Sequence, residues 1–490
     1  PPLENQWWYK PAQSAARLLM MVRSINVSYR DQYSMSLPGF MPNIGDAFGQ
    51  RTGGVMAPGL GFAFGFTGDS FLNKAHDNGW LFGEENASPA STNSTRDLQL
   101  KATVEPLRDL KIDLTATRTN TRSKSVQFMY AGTPTTFSGS FNMTPISLRS
   151  ALEGMGNASN GYSSKTFDNF CANVAEYRNR VQAQYPEGTG PGDGTANPVD
   201  AYSADVLIPA FLKAYTAGGG SSLDIFPALS RLLPNWTLRY TGLSKLTWLR
   251  DRFKSVNLNH AYKSVYSVGS FSSYSSWVEY MGDLGYVKAA DGSYTPSSMY
   301  NISTVSINEA FSPLLGIDAT FQNNLTAKVE YRTTRVLNLS MTSVQLNEAL
   351  SRDWVLGFSY KIQDFNLFGN KANRKIGKAQ KGKNSKSQDQ KSNSKTQSSK
   401  SGVNHDLNLR LDVSLRSQAS ITRDIASGIS SASSGNSAFK LSFMADYTLS
   451  RLLTLTAYYD SQTNTPLLSS SSYPTTTHDF GLSVKFSLTR

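Results

Sequence analysis

The stretch "DLNLRLDVSLRSQ" (residues 406–418) decides how the whole chain is read. Leu407, Leu409, Leu411, Val413 and Leu415 fall at every second position, and Asn408, Arg410, Asp412, Ser414 and Arg416 fill the places between. A period of two puts successive side chains on opposite faces of a β-sheet, so the stretch predicts a strand with one apolar and one polar face. The C-terminus repeats the pattern. Phe480, Leu482, Val484, Phe486 and Leu488 alternate with Gly481, Ser483, Lys485, Ser487 and Thr489. Residues 439–449 and 453–459 do the same, as do 98–104 and 110–116, and 325–345 keeps one phase long enough to be a single long strand. The connections 105–109 and 449–451 read as short turns, whereas 425–437 and 461–478 read as long polar loops.

Composition narrows the class. The 490 residues carry 17% charged side chains, below the roughly 25% usual for soluble domains. Mean hydropathy is −0.36, and the apolar run near residues 16–27 is interrupted by charge and shorter than the ~20 residues of a membrane-crossing helix. The net charge of +12 would suggest a nucleic-acid binder. Most of it, however, comes from residues 371–401, with ten Lys or Arg against Asp389 alone. That tract lacks the aromatic side chains that stack on bases, so a solvated, self-repelling and disordered basic loop (371–402) is expected and no nucleic-acid partner. The first residue is Pro1, and the chain reads as a piece of something longer.

Strands of this length, apolar on one face and polar on the other, with short turns at one end and long loops at the other, predict an all-β membrane fold. The expectation is part of a very large antiparallel transmembrane β-barrel with a mainly helical inserted subdomain. Residues 1–144, 233–370 and 403–490 would be barrel strands, the first with long loops. Residues 145–232 would be a cap or plug-like insertion, with helices near 168–185 and in "SADVLIPAFLKAYTAG" (203–218), where Ser203 is the N-cap. A further helix is expected near 69–81, and Phe62, Phe64 and Phe66 alternate as in a strand. The lipid-facing residues would be Leu407, Leu409, Leu411, Val413, Leu415, Phe480, Leu482, Val484, Phe486 and Leu488. The lumen-facing ones would be Asn408, Arg410, Asp412, Ser414, Arg416 and Lys485.

No catalytic constellation emerges, and no catalytic, cofactor-binding or metal-binding residue is assigned. The histidines His76, His260, His405 and His478 are dispersed without metal-ligand spacing. "GTGPGDG" (188–194) lacks the Lys-Ser/Thr of a phosphate loop. His260, with Ser255 and Ser264 nearby, is the one pairing that could suggest a barrel-wall hydrolase. Cys171, the single cysteine, reads as a small apolar residue on a helix face.

Several segments together resemble the SprA/Sov family, the outer-membrane translocons of type IX secretion in Bacteroidetes. They are "LLMMVRSINVSYRDQYSMSLPGFMP" (18–42), "ATVEPLRDLKIDLTATR" (102–118), "DVLIPAFLKAY" (205–215) and "LPNWTLRYTGLSKL" (233–246), followed by "SVNLNHAYKSVYSVGSF" (255–271), residues 311–341, residues 345–365 and "DLNLRLDVSLRSQASITRDI" (406–425). The resemblance covers most of the chain and implies the C-terminal part of a giant barrel that passes folded cargo from periplasm to cell surface. It implies other parts of the same barrel, a PorV-like barrel protein, a periplasmic plug protein, secreted cargo and outer-membrane lipids as partners. One departure from common barrel practice is the end "KFSLTR", which does not finish on an aromatic residue. The alternatives are another large outer-membrane transporter, of TonB-dependent or lipopolysaccharide type, or a soluble β-sandwich adhesin. The absence of a fixed-period repeat weighs against the adhesin. With the C-terminus in the periplasm, counting strands backwards puts 366–405 in the periplasm too.

Overall fold

The computed structural model describes residues 20–44, 57–82, 88–128, 133–154, 156–217, 222–363, 365, 406–449, 452–468 and 473–486. The described chain is mostly antiparallel β-sheet with few helices. The strands are β1 (Val22–Ser36), β2 (Ala90–Leu107), β3 (Leu110–Val126), β4 (Thr136–Met143), β5 (Asn235–Tyr240) and β6 (Phe253–Ser273). A small hairpin sheet follows, β7 (Trp277–Met281), β8 (Leu284–Lys288) and β9 (Tyr294–Ser298), then the short β10 (Tyr300–Asn301). The last seven are β11 (Thr304–Phe321), β12 (Leu325–Ser340), β13 (Gln345–Ile362), β14 (Leu407–Asp424), β15 (Ser430–Thr448), β16 (Leu453–Pro466) and β17 (Thr475–Phe486). Strands β7 to β9 form their own three-stranded sheet, and all the others join one 14-stranded sheet. Its path runs β1-β2-β3-β4-β6-β11-β12-β13-β14-β15-β16-β17, ending with β1 at one edge and β17 at the other.

One lane of the sheet is shared by two strands. β4 pairs β3 from Ser125↔Thr136 to Arg118↔Met143, and β5 pairs the lower part of the same strand from Thr115↔Asn235 to Leu110↔Tyr240. Both also pair β6. They are therefore two halves of one strand, with residues 144–234 leaving and returning at the break. Side chains complete the ladder there, as buried backbone groups require. Thr144 Oγ1 accepts from the Thr117 amide at 3.1 Å, and Asn235 Oδ1 accepts from the Ser264 amide at 2.7 Å.

The excursion holds the two long helices, α2 (Lys165–Gln182) and α3 (Ala204–Tyr215), numbered after α1 (Ser70–Asp77). Ser164 caps α2, accepting from the Phe167 amide at 3.2 Å. Phe167, Phe170, Val174, Tyr177 and Val181 are the buried stripe of α2. Helix α3 is buried on nearly every side. Ser203 stands at its N-cap position but makes no side-chain cap; its carbonyl accepts from the Leu207 amide at 2.9 Å instead. Both helices share one core with Phe141, Met143, Tyr266, Val268, Val305, Ile307, Leu337, Leu339 and Leu346 of the sheet.

Three expectations need correction. The Phe62–Phe66 run is not a strand: Gly59–Ala63 forms a short helix, and Gly59 (φ 82°) and Gly65 (φ 74°) adopt left-handed backbone that ends any extended run. The supposed long loops 425–437 and 461–478 are mainly strand, leaving connections of only 425–429 and 467–474. Their Ser, Thr and Asn residues pair through the backbone although neither face shows apolar alternation. The 325–345 strand stops at Ser340. The basic tract 371–402, with His405, lies outside the described residues. The strand ends flanking it do not: Ile362 lies opposite Leu407.

Candidate functional site: two faces of one sheet and a buried charge seam

Register fixes which residues share a face, since directly paired residues in an antiparallel ladder point the same way. Leu407, Leu409, Leu411, Val413 and Leu415 lie opposite Ile362, Tyr360, Phe358, Leu356 and Trp354 of β13. On the other side they face Tyr447, Ala445, Phe443, Leu441 and Phe439 of β15. Phe480, Leu482, Val484 and Phe486 join the same face through Tyr459, Ala457, Leu455 and Leu453 of β16. Leu488 lies outside the described residues. Followed the other way, this face carries Leu325, Ala327, Val329 and Tyr331 of β12, then Leu315, Ile317 and Ala319 of β11. It continues through Leu98–Val104 and Leu110–Ala116 to Ile25, Val27 and Tyr29 of β1. The result is an apolar belt across every lane of the sheet. From Leu407 to Leu415 it has the length of a bilayer-spanning strand, about 9–11 residues.

Aromatic side chains border the belt. Along one margin Tyr331 stacks on Trp354 with centroids 4.6 Å apart, and Trp236 meets Tyr262 at 4.6 Å. Along the other, Phe253 meets Phe321 at 4.5 Å, in line with Tyr240, Tyr360 and Tyr447. The belt is open to the surroundings: Phe480 is 81% exposed and Leu415 47%.

The opposite face is polar, and Asn408, Arg410, Asp412, Ser414, Arg416 and Lys485 all lie on it. Arg416 grips Asp353 through Nε at 2.9 Å and Nη2 at 3.3 Å. Arg410 Nε donates to Asp412 at 2.5 Å, and Lys361 pairs with Asp406 at 2.6 Å. Thr119 donates to Asp97 at 2.8 Å, and Thr103 to Asp113 at 2.7 Å. Opposite charges and hydroxyls thus recur along neighbouring strands, a mainly polar surface on which exposed apolar side chains such as Val336 and Met444 stand singly.

The helical excursion packs on the belt-bearing face, beyond the belt, not on the polar face where a plug would sit. A line of charge joins it to the sheet. Glu309 on β11 faces Arg335 on β12, with Nη1 3.7 Å from Oε2. Arg335 Nε lies 2.9 Å from Glu348 Oε1, and Arg423 Nε donates to Glu348 Oε2 at 2.9 Å. All four side chains are buried. The two cations also hold the excursion. Arg423 Nη1 donates to the Tyr162 carbonyl at 2.6 Å, and Arg335 Nη1 donates to that of Ser150. Their guanidiniums lie over the Phe167 and Tyr215 rings at 5.5 and 5.3 Å. Beside them Ser147 Oγ meets Ser264 Oγ at 2.8 Å and Tyr262 OH at 3.0 Å. Nothing in the sequence reading singled out this seam. The signal was there, since Arg335 keeps phase with Leu337 and Leu339, and Glu348 with Leu346 and Leu350. A charge at an apolar-phase position asks for a partner.

His260 and Ser264 do not pair. His260 Nδ1 lies 2.7 Å from the Leu314 carbonyl, and the Ser264 hydroxyl is engaged by Ser147. Among the described residues no group of three or more His, Cys, Asp or Glu could hold a metal ion, and no helix is long and apolar enough to cross a membrane. The Gly-rich 188–194 segment lines, with Arg178 and Tyr286, an open pocket of about 920 Å³. Cys171 is half-buried on α2, where burial and then Asp168 push its thiol up to about 11.

No family model matches the chain, and neither does any curated protein. Among solved structures it is similar to the β domain of the Bordetella autotransporter BrkA, at 8% identity over 82% of this chain and 92% of that one, with a TM-score of 0.21. OmpT of Vibrio cholerae, an outer membrane protein, matches at 9% identity over 82% of this chain and 94% of its own, with a TM-score of 0.21. An anion-selective porin from Comamonas acidovorans matches at 8% identity over 76% and 82%, with a TM-score of 0.10. Scores this low align strands without matching a whole fold, so the reading rests on the sheet itself.

Proposed function

We propose that this sheet is a section of the wall of a very large outer-membrane β-barrel, a protein-conducting translocon of the SprA/Sov type that passes folded cargo from periplasm to cell surface. The observation that carries it is the apolar belt, continuous across the lanes from β1 to β17, bordered by aromatic rings and backed by a polar face. In lipid a sheet edge left unpaired is costly. β1 and β17 would therefore pair with further strands, making a barrel wider than these lanes alone and wide enough to leave an aqueous lumen. The polar face would line that lumen, and its charge-paired surface suits a path along which folded protein slides without sticking. The drive for transport would come from partners, including the PorV-like and periplasmic plug proteins that the family resemblance brings with it.

Two measurements test this. In native outer membranes, a cysteine at Leu411 should react with a membrane-soluble maleimide and be shielded from a charged one, and a cysteine at Asp412 should do the reverse. Equal labelling by the charged reagent at both would reject the membrane wall. A photo-crosslinker at Asn408 or Asp446 should then capture secreted proteins in transit. Capture of lipopolysaccharide alone would favour the lipopolysaccharide-transporter alternative.

A further inference from the structure

Above the belt on β3, the apolar phase Leu110, Ile112, Leu114, Ala116 continues as Arg118, Asn120, Arg122. Arg118 lies opposite Leu98, at the margin of the belt, and Arg122 opposite Ser94. Neither arginine makes an ion pair with a described residue, and Arg118 Nε is buried without a hydrogen-bond partner there. Arg118 is held by its flat side, its guanidinium carbon 5.1 Å from the centre of the Phe141 ring. Its N–H edge is left for something else. The two guanidiniums open into a cavity of about 350 Å³ between the sheet, the helical excursion and the hairpin sheet. Asp224 and Asp283, both exposed, line that cavity, and Asp205, also in its wall, is taken by the Ser298 amide at 2.8 Å.

A pocket at the rim of an apolar belt, with guanidiniums on the sheet wall and carboxylates on the other walls, has the layout of an amphiphile site. We propose that it binds the headgroup of a lipid carrying a phosphate ester and a primary ammonium, of the phosphoethanolamine kind. The phosphate sits on Arg118 and Arg122, which offer planar N–H pairs suited to its oxygens. The ammonium faces Asp224 and Asp283, and the acyl chains lie on Leu98, Leu100 and the exposed Val27 below. The inference rests on the belt facing lipid; it adds a specific headgroup to that reading.

The test is a titration of the full chain in detergent with phosphatidylethanolamine, phosphatidylcholine and phosphatidylglycerol of identical acyl chains, with retained lipid counted by native mass spectrometry. Phosphatidylethanolamine should bind about tenfold or more tightly than the others, the size of one lost charge-assisted hydrogen bond. D224N/D283N should remove that preference, whereas R118Q/R122Q should weaken all three lipids about tenfold or more and R118K/R122K should keep part of the affinity. Equal affinity for all three lipids, phosphatidylglycerol as tight as phosphatidylethanolamine, an unchanged preference in D224N/D283N, or unchanged affinity in R118Q/R122Q would each overturn the proposal. Maleimide labelling at Leu411 in the same variants reports separately on the membrane wall, so the headgroup site can fail while the wall stands.

Discussion

Met143 and Asn235 stand almost end to end in one lane of the sheet, opposite Arg118 and Thr115 of β3, although the whole helical excursion separates them in sequence. The Thr144 amide still donates to the Thr117 carbonyl, at 3.0 Å. Only the place opposite Ala116 is skipped. Replacing residues 145–234 by a single residue should therefore give a continuous strand from Thr136 to Tyr240 that inserts into the outer membrane. Heat-modifiable migration of the shortened chain on a gel checks this. Loss of insertion would mean that the two halves need the excursion to find their register.

The charge seam predicts strong asymmetry between single and collective changes. R335M leaves Glu309 and Glu348 short of a cation in a buried site, and should cost about 3–5 kcal/mol. The quadruple variant E309Q/R335M/E348Q/R423M should cost far less than the sum of its parts, because no unpaired charge remains. Limited chymotrypsin digestion of the helical excursion, followed against urea, measures both.

Glu153 gives the excursion a pH dependence. It is half-buried, and burial alone would raise its pKa, but hydrogen bonds from Thr166, Ser164 and the Lys165 amide outweigh this and hold the carboxyl below the ordinary range. A carboxyl lowered on folding stabilises the fold above its unfolded pKa, about 4.3, and loses that contribution as pH falls through the lower folded value. The protection factors of amides in the first turn of α2, exchange rates corrected for their intrinsic pH dependence, should fall below about pH 4. E153Q should show nearly the same protection factors on both sides of that limit; wild-type protection factors flat with pH would refute the assignment.

Gly139 tests the packing of the broken lane. A Cβ there would lie 2.1 Å from the Thr121 carbonyl oxygen and 2.6 Å from the Phe271 ring, so G139A must push two strands apart. A loss of about 1–3 kcal/mol is expected. At Gly269, on β6, an added Cβ meets nothing within 4 Å, so G269A should be close to neutral. Urea midpoints of the two variants decide the matter.

The two-faced strands could be read directly from residues 406–416, because alternation survives wherever one face is lipid-like and the other wet. Helix α2 was readable too, from the spacing of Phe167, Phe170, Val174 and Val181. The broken lane was not, since no local pattern says that residue 143 continues at residue 235. Nor were the outer ends of β15 and β16, where both faces are polar and alternation carries no signal. The face on which the excursion packs depends on Phe141 and Met143 sharing a side with Tyr266 and Val268, which is a matter of register alone.

The shared lane also sets an order of assembly. Strands β11 to β13 and β14 to β17 can zip by neighbouring hairpins, each closing a short loop or, between β13 and β14, one longer one. The β3–β4/β5–β6 junction cannot finish until the chain ends at Thr144 and Asn235 have been brought together, and α2 and α3 packing on one another is what brings them. Closure of a long loop must be paid before its contacts form. The slowest step in building this wall would then be set outside it, by a pair of helices that never enter the sheet.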